Sequence, residues 1–384
     1  MQHTKKNLRV AFLTATDPND KRSWSGIHYC MLQELRQHFL VVESIGPIDN
    51  LLLKSLGVVN KITRLVFKKG YNHNNSILRS YLLSLVINKK LKRGNYEVIF
   101  APAASTEVAF LKTDLPILYF SDSSFGQLNG YYPVFSDLFD FSRKESNYIE
   151  QKAIDKAAFF VYPSRWAANY VAKEYGVSEE KLAIIPFGAN VEDQSILYME
   201  KQTGNNRAFN LLFLGVNWER KGGDIVYKTF LLLKEKGYNV TLTVCGCVPP
   251  FVDDQINIIP FLNKNLPEHL EHFKTLMQET HLLFVPTKAD CSPIVFCEAN
   301  AFGIPVLTNN TGGVSELVID DFNGYALNMN SRPEDYALKI ETLLQDADLY
   351  SRLSQNSRSF YLKDLNWGSW GKKISDILYE IKKL

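Results

Sequence analysis

The sequence predicts an α/β protein made of two doubly wound halves that face one cleft, and three observations carry that expectation. The chain has 384 residues, too many for one ordinary core and enough for two domains of roughly 150–200 residues. Short apolar runs alternate with helical patterns along its whole length, the signature of successive strand–helix–strand units. The alternation breaks once, in a polar stretch at 191–208 that carries Gly204-Asn205-Asn206, and then starts again.

In the first half, residues 9–14 form a short apolar run that ends in a polar loop, 15–25. Gly26 opens a helical pattern through about His38, and 39–45 reads as a second strand. Further strands are expected at 97–101, 117–120 and 159–162, with a long helix at 143–157. In the second half, strands are expected at 210–214, 240–244, 256–259, 282–285 and 306–308. Helices follow Gly223 and span 268–279 and 295–302, and helices then run to the end. These are two Rossmann-like halves, 1–195 and 196–365. A last helix (366–384), amphipathic through Ile374, Ile377, Leu378 and Ile381, is expected to cross back to the first half. Ligands of such sheets sit at the carboxyl ends of the strands, so the loops there are the place to look for chemistry.

Composition narrows the class. A net charge of +2 does not point to nucleic acid, and no recognition motif does either. Five scattered cysteines, partly inside apolar runs, read as reduced thiols in a cytoplasmic protein. Cys245-Gly-Cys247 lacks the spacing of common zinc or redox sites. The run 8–13 is too short for a signal peptide, and no stretch reaches the ~20 apolar residues of a membrane span. Charge is uneven, however. Between Asn50 and Gly94 there is no acid but ten bases: Lys54, Lys61, Arg64, Lys68, Lys69, Arg79, Lys89, Lys90, Lys92 and Arg93. Leu51, Leu52, Leu53, Leu56, Ile62, Leu65, Val66 and Phe67 are interleaved with them. Such a stretch is either a pair of helices with solvated basic faces or a surface that docks on anionic lipid or an anionic acceptor. The second reading places the protein peripherally at the inner face of the plasma membrane.

Three segments carry chemistry. Ser23-Trp24-Ser25-Gly26-Ile27-His28 sets a glycine at a strand-to-helix junction, where backbone can approach a phosphate or sugar, although a tight turn explains it equally well. There is no GxGxxG and no Walker sequence. Gly215-Val-Asn-Trp-Glu-Arg-Lys-Gly-Gly223 puts Arg220 and Lys221 beside two glycines and a helix start. Two cations next to free N–H groups suit a diphosphate, the alternative being a solvated basic turn. In the segment from Pro286 to Pro305, Asp290 precedes a helix and Glu298 lies within it, eight positions on. Carboxylates at such places suit bidentate bonding to sugar hydroxyls, whereas a cap is the structural role open to Asp290 or Ser292. A buried acid in Phe296-Cys-Glu-Ala-Asn-Ala-Phe302 requires a partner.

These segments resemble the motifs of family 4 glycosyltransferases of GT-B fold. Asp290 to Glu298 is similar to the E-x7-E region, with Asp in place of the first Glu. Pro186-Phe-Gly-Ala-Asn190 resembles P-x-G-V-D, and Gly215 to Gly222 resembles G-R-L-x-x-x-K-G. Thr311-Gly-Gly-Val-Ser-Glu316 resembles the G-G-x-x-E turn, and Asn323-Gly-Tyr325 the N-G-x-L hairpin. In the first half the likeness rests on the Gly26 loop and Pro163-Ser-Arg165.

The resemblance implies roles. Glu298 would hold the ribose hydroxyls and Asp290 those of the donor sugar. Ser292, Pro293 and Ile294, through their backbone, would hold the diphosphate together with Lys221; Gly26, Asn217 and Val295 complete the expected donor site. The family's Arg is absent, Val216 and Asn217 standing there, and Arg220 is the substitute. Where many relatives carry a His after the strand at 117–120, this chain has Ser121-Asp-Ser-Ser124. Asp122 then touches donor or acceptor, or caps a turn; His28 is the other polar group available. The expected catalytic set is Asp122, Arg220, Lys221 and Asp290.

The implied reaction is retaining and needs neither metal nor cofactor. Asp346-Ala-Asp348 has the D-x-D form of metal-dependent transferases but lies between helices as a surface turn; Asp253-Asp254 reads as a loop, and His269 and His272 as surface residues. The favoured reaction moves glucose from UDP-glucose to a saccharide or lipid-linked saccharide in envelope or exopolysaccharide synthesis. The alternatives are a GDP-mannose transferase, a sugar-nucleotide epimerase of related fold, and a non-catalytic sugar-nucleotide-binding partner subunit.

Overall fold

A computed structural model describes residues 5–48, 60–61, 63–191, 196, 198, 201 and 207–383. Leu51, Leu52, Leu53, Lys54, Leu56 and Ile62 of the basic stretch, and Gly204-Asn205-Asn206 of the polar break, lie outside the described residues. The chain divides into two units: Met1–Ile185 with Gly371–Leu384, and Pro186–Trp370. The expected break at 195/196 lies beyond the first crossing, because Pro186-Phe-Gly-Ala-Asn190 already packs in the second unit. Ala189 N–H donates to the Leu365 carbonyl at 2.9 Å, Trp367 Nε1 donates to Asn190 Oδ1 at 3.1 Å, and a Cβ on Gly188 would meet the Trp367 backbone nitrogen. The last helix, Trp367–Ile381, begins in the second unit and ends in the first.

Each unit is a six-stranded, all-parallel sheet. The first comprises β1 (Lys6–Phe12), β2 (Phe39–Ser44), β3 (Val98–Pro102), β4 (Ile117–Phe120), β5 (Phe159–Tyr162) and β6 (Leu182–Ile184), in the order β2-β1-β3-β4-β5-β6. The second comprises β7 (Phe209–Leu214), β8 (Val240–Cys245), β9 (Ile256–Ile259), β10 (Leu282–Val285), β11 (Val306–Asn309) and β12 (Gly324–Leu327), in the order β12-β11-β10-β7-β8-β9. Helices cover both faces of a parallel sheet, so its central strands are apolar at every position rather than at alternate ones. Accordingly every residue of β3, β4, β10 and β11 is buried.

Two strands depart from expectation. β6 has three residues, none fully buried, at the sheet edge, and so has no apolar run to announce it. The Asn323-Gly-Tyr325 segment is not a hairpin. Gly324 opens β12, which pairs in parallel with β11. A Cβ on Gly324 would lie 2.0 Å from the Val306 carbonyl oxygen, so only glycine allows this approach. Asn323 holds the turn, its Nδ2 donating to Asn300 Oδ1 and to the Leu317 carbonyl, both at 2.8 Å.

The reversal points of the two sheets are where chain order changes direction. In the second unit this lies between β7 and β10, in the first between β1 and β3. Loops leaving such a point diverge and open a crevice at the carboxyl ends of the strands.

Ser76 and Ser164 cap the helices Ile77–Arg93 and Arg165–Tyr175, accepting from Arg79 and Ala167 N–H. In the first unit Glu150 is buried on the helix Asp140–Lys156 and accepts from the Tyr119 hydroxyl at 3.2 Å. Burial pushes its carboxyl up from 4.5 to about 7, against the opposing pull of Ser105, Tyr119 and the Phe125 backbone. The folded state therefore binds this proton more tightly than the unfolded chain. Its contribution, roughly 3 kcal/mol, is full below pH 4.5 and is lost as pH rises through about 7. Urea unfolding of wild type should show stability falling across that window, and Glu150→Gln should remove that part of the slope. An unchanged slope in the variant would show that the group is not buried as described.

Candidate functional site

The site grows out of the reversal point between β7 and β10. After β7 the chain turns through Gly215–Gly223 into the helix Gly223–Glu235. Gly222 has φ +79°, and a Cβ there would sit 2.1 Å from the Pro286 carbonyl oxygen at the end of β10. Two loops from adjacent strands can thus close on each other only through a bare Cα in a left-handed conformation. Trp218 locks the turn from behind. Its ring packs on Phe213 and Phe251, and its Nε1 donates to Asp224 Oδ1 at 2.7 Å. Asn217, expected at the donor, is exposed and works inside the loop: its Oδ1 accepts from Arg220 N–H at 2.8 Å and its carbonyl from Lys221 N–H at 3.1 Å.

This loop delivers Arg220 and Lys221 onto the loop after β10. Lys221 Nζ donates directly to Asp290 Oδ2. Arg220 Nη1 lies 3.6 Å from the same oxygen and donates to the Ala289 carbonyl at 2.7 Å. Lys221 and Asp290 are both buried, so each supplies the charge that the other needs to leave water. Asp290 also touches the Thr311–Glu316 turn, its carbonyl accepting from Gly313 N–H at 3.2 Å. The two cations, expected at a diphosphate, and the acid, expected at a sugar, are here bonded to one another.

Ser292 and Pro293 lead into the helix Ile294–Ala301. Among the described residues the buried Ser292 hydroxyl has no hydrogen-bond partner, and it lies next to the start of that helix, where an anion is stabilised. Ile294 and Val295 are half-buried there. Glu298, one helical turn on, is 1 % exposed. Burial pushes its carboxyl upward, and Lys264, 2.5 Å from Oε1, pulls it back. Lys264 escaped the sequence reading. It is the one charged residue between Asp254 and Glu268, in the loop after β9, which was the available signal.

Gly26 and Asp122 belong to the first unit. Trp24, Ser25 and Gly26 have φ of 47°, 55° and 87°, a run of left-handed residues that turns the loop after β1 into the helix Ile27–His38. Asp122 follows β4 and is half-buried, with Tyr162 in its field. His28 is buried, and desolvation lowers its imidazole to about 4, so it is neutral at physiological pH. Its Nδ1 is held by the Ser23 and Thr16 hydroxyls at 3.2 and 3.3 Å.

The rival motifs have structural roles. Asp346 caps the helix Ala347–Lys363, accepting from Leu349 N–H at 2.9 Å. Asp253 accepts from the Tyr227 hydroxyl at 2.6 Å, and His269 Nδ1 from Asn263 N–H at 2.9 Å. Among the described residues no group of three or more His, Cys, Asp or Glu is placed to hold a metal ion.

Known proteins share this organisation. The family described as glycosyl transferases group 1 matches residues 197–360, and glycosyltransferase family 4 matches 48–193. An uncharacterized glycosyltransferase of Methanocaldococcus jannaschii is 26% identical over 219 residues, covering 55% of this chain and 56% of the relative. The capsular polysaccharide biosynthesis glycosyltransferase CapM of Staphylococcus aureus is 25% identical over 195 residues, covering 47% and 50%. The chain thus spans about half the length of the curated relatives it matches. Among solved structures, Anabaena HepE in complex with UDP and glucose superposes with a TM-score of 0.66 at 14% identity, over 97% of this chain and 100% of that one. WaaG, a glycosyltransferase involved in lipopolysaccharide biosynthesis, gives 0.59 at 16% identity over 96% and 99%.

The Lys221–Asp290 pair makes a stability prediction. Asp290→Leu, which leaves Lys221 buried without its partner, should cost about 3 kcal/mol in urea unfolding, and Lys221→Met less, because Arg220 stays 3.6 Å from Asp290 Oδ2. The double variant should cost much less than the sum. Strictly additive losses would show that the two groups do not compensate each other.

Proposed function

From the premise that this chain belongs to glycosyltransferase family 4 and has the GT-B fold, we propose that it is a retaining hexosyltransferase of polysaccharide synthesis. Its substrates are a nucleoside diphosphate sugar, UDP-glucose first among them, and a saccharide or lipid-linked saccharide acceptor. The observation that carries the reading is the cluster at the reversal point of the second sheet. There Arg220, Lys221 and the start of the helix Ile294–Ala301 supply positive charge, and Asp290 and Glu298 supply carboxylates.

The chemistry follows from those groups. A diphosphate entering beside Ser292 meets helix N–H groups, a hydroxyl without an internal partner and two cations. As it draws Arg220 and Lys221, Asp290 is released from its pair to accept from sugar hydroxyls. Glu298 accepts from the two ribose hydroxyls, one per oxygen. The bond between the anomeric carbon and the diphosphate oxygen then breaks. The acceptor oxygen bonds to the same face of the sugar, and its proton passes to the departing phosphate. The negative charge that develops on the leaving group is stabilised where Arg220 and Lys221 already lie, so the protein itself supplies the neutralisation that a divalent cation gives other transferases. On the first unit, Gly26 is the group proposed for the donor and Asp122 the one proposed for donor or acceptor.

The basic stretch supports peripheral binding to an anionic membrane at the cytoplasmic face. Leu65, Val66 and Phe67 are exposed beside Lys61, Lys68 and Lys69, and Leu78, Tyr81 and Leu85 on the helix Ile77–Arg93 are exposed near Lys89, Lys92 and Arg93. Not every base contributes. Arg79 is half-buried in the field of Glu107, and Lys90 donates to the Ile45 carbonyl at 2.6 Å. Among the described residues no helix is long and apolar enough to cross a membrane.

Two measurements check this reading. In a thermal-shift panel of nucleotide sugars, at least one, with UDP-glucose favoured, should stabilise the protein equally with and without EDTA. Glu298→Ala and Lys221→Ala should each weaken that binding by about tenfold or more. No response to any nucleotide sugar, or binding abolished by EDTA, would sink it. Liposomes containing phosphatidylglycerol should float the protein in a density gradient, and a Phe67→Ser/Lys68→Glu/Lys69→Glu variant should stay at the bottom. Absence of flotation leaves these faces merely solvated.

A further inference from the structure

Glu298 and Lys264 reach each other from elements that follow β10 and β9, strands separated in the sheet by β7 and β8. The pair therefore lies over the carboxyl ends of the sheet, on the side of the crevice away from β11. Lys264 is held from three directions. Its ammonium bonds Glu298 Oε1 at 2.5 Å and sits 3.8 Å from the centre of the buried Phe273 ring, and the turn that presents it is fixed by Asn263 N–H donating to His269 Nδ1. Its side chain is 23 % exposed against 1 % for Glu298, so the acid is the group that most needs the partner.

We propose that Lys264 is a positioning residue for the nucleotide: it clamps Oε1 of Glu298 and balances its charge, so that the carboxylate meets the paired ribose hydroxyls in one orientation. This rests on the reading of Glu298 as the ribose-binding acid. Without the lysine the acid would be an isolated buried carboxylate, and such a group takes up a proton rather than keep its charge. A protonated acid offers one oxygen as donor and loses an acceptor that the two hydroxyls require. The other titratable groups in its field are thiols: Cys245 at the end of β8 and Cys297 on its own helix. Both are raised by burial and neutral at physiological pH, so Lys264 is the only cation among the groups that act on Glu298 in the described residues.

Isothermal titration of the full chain with UDP, GDP and their 2′,3′-dideoxy analogues tests this. For whichever diphosphate binds wild type tighter, Lys264→Met should weaken binding about tenfold at about pH 7, and the loss should shrink as pH is raised, because alkali returns the charge to the carboxylate. The dideoxy analogue should lose little, and Lys264→Arg should bind nearly as wild type does. Lys264→Gln, which keeps a donor without the charge, should behave like the Met variant and replaces it if the latter does not fold. An equal loss for the dideoxy analogue, or a loss that pH does not reverse, overturns the proposal. Glu298→Ala separates the two levels. If it costs tenfold while Lys264→Met costs nothing, the positioning role alone fails; if it costs nothing, the ribose-site reading fails and takes the proposal with it.

Discussion

A carboxylate cannot enter a protein interior alone, and the second unit is arranged around meeting that requirement twice. Asp290 is balanced by Lys221 and Glu298 by Lys264, and in each case acid and base arrive on elements that follow different strands. Buried ion pairs are weak contributors to stability, because what they recover is mostly the cost of their own desolvation. Their worth here is spatial. Each pair ties elements that follow two different strands together at the mouth of one sheet and leaves charged groups close-set and desolvated.

The backbone makes that arrangement reachable. Parallel order with a reversal between β7 and β10 sends the two loops apart, and they must then be drawn together above the strands. Gly222 does so by lying against the Pro286 carbonyl in a conformation that a side chain would forbid, with Trp218 wedged under Gly223. Asn309 joins in from β11, donating to the Pro286 and Thr287 carbonyls at 3.1 and 3.2 Å. Carbonyls that a strand end would otherwise expose are thereby satisfied, and the segment carrying Asp290 is held on a rigid footing.

Much of this was legible in the residues. Parallel strands buried on both faces read as unbroken apolar runs, which is why the expected bounds of β4, β5 and β10 match the fold to the residue, and the edge strand β9 matches through its three isoleucines. Three of the residues singled out by type stand together in the fold: Arg220 and Lys221, beside glycines, meet Asp290. What escaped depended on partners distant in sequence. β6 is a half-exposed edge with no periodicity to detect, and β12 was disguised by an Asn-Gly pair that ordinarily marks a hairpin but here lets backbone press on β11. Lys264 looked like any loop lysine until the fold brought Glu298 to it. The same limit applies to Asn217, whose side chain and carbonyl hold the N–H groups of its own loop.

Cysteine placement has a consequence of a different kind. Cys245, Cys291 and Cys297 are buried in the second unit, while Cys247 there and Cys30 in the first are half-buried. Burial pushes the Cys245 thiol up to about 11 and that of Cys297 higher, so neither presents thiolate to a reagent while the unit stays closed. Alkylation at these positions then waits on local opening, and its rate counts how often the ground beneath Glu298 comes apart. The chain thus carries its own clock for the breathing of one unit, wired into the same helix that bears the buried acid.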